Sequence, residues 1–141
     1  MTTNPVATLH KLSQSGETID GSANDIRGRE VADLDGKLIG KISGLYIDDQ
    51  EQKVRFLLVD NGGFLGLGGT KSLIPVDDID RVTEHIVYIT HSREHVAAAP
   101  AYDPKLVADD RTFHGKVYDY YGYAPYWGMG YVYPVGFVYP Y

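Results

Sequence analysis

The chain has 141 residues and a formal net charge of -6, with 13 Lys and Arg against 19 Asp and Glu. That length predicts one domain with tails, and that charge excludes a general nucleic-acid surface, which needs clustered cations. No cysteine is present, which excludes disulfide staples and thiolate metal sites.

Residues 1–24 are polar and without clear periodicity, and they read as a flexible or loosely docked arm. They carry neither the basic start nor the apolar run of a secretory signal. No stretch of the sequence approaches the roughly 20 apolar residues of a spanning helix. The expectation is a soluble, cytoplasmic protein.

Patterned sequence begins at Asp25. Residues 29–33 alternate around Val31, and Asp35-Gly36 is a hairpin turn signal. Residues 38–48, LIGKISGLYID, read as a long strand whose Gly40 and Gly44 mark bends or bulges. Residues 49–52 turn the chain. Residues 54–60 form the most apolar strand, rich on both faces and therefore central.

The loop NGGFLGLGG at residues 61–69 follows, with Phe64, Leu65 and Leu67 set among five glycines. These three side chains need a dry place, and an apolar patch left exposed tends to be covered by a partner chain. They are candidate interface residues. Phosphate cradles require a helix after the glycines, whereas here a short strand runs to Pro75 and sits at a sheet edge.

Residues 79–82 and 85–90 supply two further strands. A short helix follows at residues 92–99, with Ser92 as N-cap and Pro100 as stop. Short strands at this spacing predict an all-β fold, a small antiparallel barrel or sandwich. Asp77, Asp78 and Asp80 read as a solvated acidic edge.

Residues 91–95, His-Ser-Arg-Glu-His, match a zinc-protease spelling with His91, Glu94 and His95 as ligands and base. That chemistry needs both imidazoles one turn apart on a formed helix. Here His91 ends a strand, so no metal and no cofactor is expected, and the zinc or ligand site stands only as the alternative.

Residues 101–116 read as a polar connector. From Tyr118 the composition changes, and nine of the twelve tyrosines and the only tryptophan fall in the last residues. Tyrosine offers a large rigid surface with a polar end, which suits contacts. Tyr121, Tyr123, Tyr126 and Trp127 are therefore candidate interface residues. The tail either wraps over its own or a sister barrel, binds other proteins, or rests at a membrane interface. The last two readings rank lower, and membrane contact is expected to be indirect at most, since no Lys or Arg follows Lys116.

The succession Ile26-Arg27-Gly28-Arg29-Glu30-Val31, Asp35-Gly36-Lys37-Leu38-Ile39-Gly40-Lys41-Ile42, Val54-Arg55-Phe56-Leu57-Leu58-Val59, Gly62-Gly63-Phe64-Leu65-Gly66 and Ile74-Pro75 resembles the PRC-barrel family. The resemblance covers about residues 25–104. Five motifs in order are more specific than any one of them.

It implies a small PRC-type β-barrel followed by one short helix; residues 105–141, read as a polar connector and a Tyr/Pro/Gly-rich tail, lie outside the motifs that carry it. It also implies a non-catalytic adaptor or assembly module that works through protein contacts as a homodimer. No catalytic residue set comes with it. The family's reaction-centre members carry a membrane helix before the barrel, and its ribosome-maturation members carry a second barrel. Neither is read in this sequence. A peripheral role on a reaction-centre-like membrane complex is kept as an alternative.

Overall fold

The computed structural model describes residues 9–13, 26–51, 53–62 and 71–133. Seven strands run in the order β1 Leu9–Ser13, β2 Glu30–Ala32, β3 Leu38–Asp48, β4 Val54–Asp60, β5 Lys71–Pro75, β6 Ile79–Val82 and β7 Ile86–Ile89. Three helices follow, α1 Arg93–Ala97, α2 Pro104–Asp109 and α3 Arg111–Tyr121. Across the sheet the order is β5-β4-β3-β2-β7-β6, with β1 also on β3.

The local reasons are legible residue by residue. At the β2–β3 turn, Asp33 Oδ1 accepts from Asp35 N (3.0 Å) and Lys37 N (2.9 Å), while Gly36 N donates to Asp33 O. Asp33 Oδ2 also accepts from Arg93 N (3.0 Å), which ties this turn to the start of α1. Burial alone would push the Asp33 carboxyl up, but these N–H donors outweigh it and hold its pKa below the ordinary value. The next turn repeats the device, with Asp48 Oδ1 accepting from Gln50 N at 3.1 Å.

β3 is long enough to carry two partners end to end on one edge. Its first half pairs with β2 and its second half with β1, whose Leu9 lies opposite Asp48. A strand therefore lies within the segment expected to be a flexible or loosely docked arm. The register of β3 against β4 shifts between Ile42 and Gly44, which places a bulge where the glycine spacing predicts one. Every residue of β4 from Val54 to Val59 is buried, as its central place between β3 and β5 requires.

Three features depart from a closed antiparallel barrel with one helix. First, β2 and β7 run parallel. Second, among the described residues β5 and β6 end the ladder without pairing to each other. A single 3-10 turn, Val76–Asp78, links them directly. Four residue steps span at most about 14 Å, so the sheet must curl until its two edges nearly meet. The result is a strongly curved open sheet.

Third, two more helices occupy the expected polar connector. Asp103 caps α2 by accepting from Lys105 N (2.9 Å), and Pro104 fills its first turn. Asp110 caps α3 by accepting from Phe113 N at 3.1 Å. α3 ends at Gly122, whose φ of 84° lets Gly122 N and Tyr123 N bond back to Asp119 O and Tyr118 O.

α3 places Phe113, His114, Val117, Tyr118 and Tyr121 in the same buried cluster as the strands. The core thus runs across the division at residues 104/105. Phe56 of β4 meets Tyr118 at 5.0 Å and His114 at 5.8 Å between ring centroids.

His114 is wholly buried and donates from Nε2 to Val107 O at 2.6 Å. Burial pushes its pKa down, against the smaller upward pull of Val107 O and Asp110. The unfolded chain then binds this proton more readily than the folded one, so the His114 contribution is complete above the ordinary value of 6.5. It is lost as pH falls below that value. The urea midpoint should accordingly drop between pH 7 and pH 5, and His114→Phe should flatten that slope. An unchanged slope in the variant would remove His114 as its source.

Candidate functional site

The aromatic segment after α3 is a strap laid across the curved sheet. Among the described residues three tyrosine hydroxyls fasten it. Tyr123 Oη donates to Asp78 Oδ1 (2.6 Å), Tyr131 Oη donates to Asp77 Oδ2 (2.8 Å), and Tyr133 Oη donates to Val54 O (3.1 Å). The chain reverses between the last two anchors and the first through a turn in which Gly128 N donates to Pro125 O.

The centre of the strap is Arg55, a charged residue in the most apolar strand and only 1% exposed. Its Nε donates to Asp48 Oδ2 at 2.8 Å, and its Nη2 reaches Glu51. The guanidinium lies 4.1 Å from the Tyr126 ring centroid, 5.6 Å from Tyr133 and 5.8 Å from Tyr131. These distances suit cation–π attraction. Burial works against the charge, but the Asp48 carboxylate outweighs it and raises the Arg55 pKa. Trp127 closes the row, packed edge-on to Tyr118 (6.0 Å) and Tyr126 (5.1 Å) with the Arg111 guanidinium 4.7 Å over its ring.

Ionisation of the strap's phenols is correspondingly disfavoured. Burial pushes the Tyr123 and Tyr131 hydroxyls up, and the neighbouring carboxylates Asp78 and Asp77 add to the effect. Burial likewise raises Asp77, although Tyr131 donates to it. The acidic edge expected at Asp77, Asp78 and Asp80 is thus corrected. Asp80 is exposed, but Asp78 is wholly buried and both Asp77 and Asp78 serve as internal acceptors for the strap.

The proposed interface residues fall in different places. Phe64, Leu65 and Leu67 lie outside the described residues. Tyr121 is 1% exposed and its side chain belongs to the core, not to an outer face. Tyr123, Tyr126 and Trp127 are half-buried against their own domain. What the strap turns outward is Met129, fully exposed at 103%, and Val132 at 75%. Composition singled out the tyrosines, but among the described large apolar side chains of the strap Met129 and Val132 are the exposed ones.

His91 and His95 do come together, stacked with centroids 4.4 Å apart and planes 25° apart. Asp78 accepts from His91 Nδ1, and His95 Nε2 faces Tyr120 O at 3.3 Å. Tyr120 in turn donates to His95 O at 2.6 Å. Nearly parallel rings set their remaining lone pairs side by side instead of converging on one point. Glu94 faces Lys37 at 3.8 Å. Among the described residues no group of three or more His, Cys, Asp or Glu is placed to hold a metal ion. The pair instead packs α1 against α3 and the strap, with Tyr121 and Tyr123 edge-on to His91.

No described helix is long and apolar enough to cross a membrane. The model of the PRC-barrel domain matches residues 20–96, more than half of the chain. α2, α3 and the strap lie beyond that match. No protein of curated function matches the chain.

Proposed function

The chain belongs to the PRC-barrel family, and from that premise we propose that it is a non-catalytic adaptor module working in the cytoplasm through protein contacts. It acts as a homodimer, with a second protein as its other partner. The family supports an interaction role at a general level. The observation that carries the self-contact is the outward pair Met129 and Val132, on a strap whose other described large side chains are half-buried against their own domain. Exposed apolar side chains held on a fixed backbone lose little entropy on docking.

A deletion after Lys116 is a poor test of this reading, because it removes Val117, Tyr118 and Tyr121 from the core. The double substitution Met129→Asp with Val132→Asp leaves the core untouched. Light scattering across a range of concentrations should give a dimer mass for the natural chain and a monomer mass for the variant. A natural chain that is monomeric at every concentration ends the homodimer reading.

A further inference from the structure

The turn of the strap presents a reactive atom as well as an apolar surface. The chain has no cysteine and two methionines, and Met129 is the one among the described residues. Its side chain is 103% exposed, so no described part of its own chain shields the thioether. We propose that Met129 is a site of reversible oxidation by hydroperoxides, and that the sulfoxide formed there releases the self-contact. The inference rests on the reading of Met129 and Val132 as the surface on which two copies meet, and it names how that surface is regulated.

The fold holds this side chain out. Gly128 N donates to Pro125 O (2.9 Å) and Tyr131 N donates to Gly128 O (3.3 Å), which closes the backbone on both sides of Met129. Gly130 takes a φ of 81°, a conformation that glycine adopts without strain. The strap is pinned before the turn by Trp127 against Tyr118 and after it by Tyr131 Oη on Asp77. Met129 therefore cannot fold back among the core residues without breaking those contacts.

A thioether needs no deprotonation before it reacts, so access to the oxidant and not a pKa decides which sulfur is attacked. In the step itself a sulfur lone pair takes one oxygen of hydrogen peroxide. The O–O bond breaks as the S–O bond forms, the proton of the transferred oxygen passes to the leaving one, and water departs. Sulfur loses two electrons and the peroxide gains them. The product replaces an apolar side chain by a polar, chiral one. Burying its oxygen in an apolar contact without a donor is unfavourable, so the sulfoxide favours separate chains. The converse also holds, because a sulfur covered by a second copy is shielded from peroxide. Oxidation and self-contact thus oppose each other at one atom. A sulfoxide reductase drawing on a dithiol returns the thioether, with the dithiol oxidised to a disulfide and the oxygen leaving as water.

The test treats the full chain with hydrogen peroxide and maps the added oxygen by mass spectrometry of its peptides, which separates Met129 from Met1. Light scattering follows the mass, and a thermal midpoint reports the fold. Oxygen should appear at Met129 more slowly as the protein concentration rises. The oxidised chain should self-associate at least about tenfold more weakly with an unchanged thermal midpoint. Methionine sulfoxide reductase with dithiothreitol should restore the dimer. Met129→Leu keeps the apolar contact without the sulfur, so it should dimerise and remain a dimer in peroxide. No oxygen at Met129, or a Met129→Leu dimer that peroxide dissociates equally, would overturn the proposal. A natural dimer that stays intact once Met129 is oxidised removes the regulation and keeps the self-contact. A natural chain that is monomeric before peroxide removes both.

Discussion

Replacing Arg55 by alanine should cost the fold about 3 kcal/mol and loosen the strap in the same step. The substitution strands Asp48 as a buried carboxylate and takes the cation away from Tyr126, Tyr131 and Tyr133. Breaking one side of a buried ion pair costs about 3–5 kcal/mol. The lower end applies because Asp48 keeps backbone donors at Gln50 and Lys53. Urea unfolding monitored by Trp127 fluorescence gives the number. Glu51→Gln is the control, since Glu51 is largely exposed and its loss should cost about 1 kcal/mol or less. Arg55→Lys should fall between the two, because an ammonium keeps the charge but cannot stack its plane on a ring. An Arg55→Ala loss no larger than that of Glu51→Gln contradicts the arrangement.

Gly40→Ala should be at least as damaging, about 3 kcal/mol or more, for a reason that is steric and not electrostatic. A Cβ at Gly40 would collide with Asp60 O and lie 2.7 Å from Asn61 Cα, so backbone meets backbone and no side chain can swing aside. The strands β3 and β4 would have to part at the end of their ladder, beside the Lys41–Asp60 pair. Overpacking a well-packed core typically costs about 1–3 kcal/mol, and more where nothing can shift. Gly115→Ala should do the opposite. Gly115 is inside α3, and a Cβ there would only touch Trp127 at 4.0 Å. Removing a helix-interior glycine should stabilise by about 0.5–1 kcal/mol. The paired signs, read from the same urea titration, separate close backbone approach from a general intolerance of substitution.

Much of the sheet was legible in the sequence because its signals are local. Asp35-Gly36, the glycines of β3 and the Ser92 cap each act within a few residues, and each appears where expected, while the strand at Val31 forms with Ala32 and Asp33 buried beside it and no alternation. The helices at residues 104–121 were also written locally, in Asp103-Pro104, in Asp110, and in Phe113, Val117 and Tyr121 four apart. Drawing a boundary at Tyr118, where composition changes, cuts that last stripe in two and hides it. The tyrosines then read as one sticky tail, when the first of them finish a core helix.

The strap was legible only in outline. Wrapping over its own or a sister barrel was the first of the three readings, and the described part of the tail lies on its own open sheet. The partner of that tail is Arg55, which sits among Val54, Phe56, Leu57 and Leu58 and reads as a chance polar residue in a buried strand. Nothing near it in sequence says that rings from residues 126, 131 and 133 will surround it. The same limit applies to Asp77 and Asp78, which read as an exposed edge because their hydroxyl donors lie more than 40 positions downstream. Pairing over such a distance is set by the fold, and a single sequence does not spell it.

The strap lies on its own domain, which leaves Met129 and Val132 facing outward. Isotope-filtered nuclear Overhauser spectra on a mixture of labelled and unlabelled chains test this directly. Cross-peaks between the Arg55 side chain and the Tyr126 ring should appear only within a chain, at every concentration. The same cross-peaks between labelled and unlabelled chains would place the strap on a sister molecule and contradict the account.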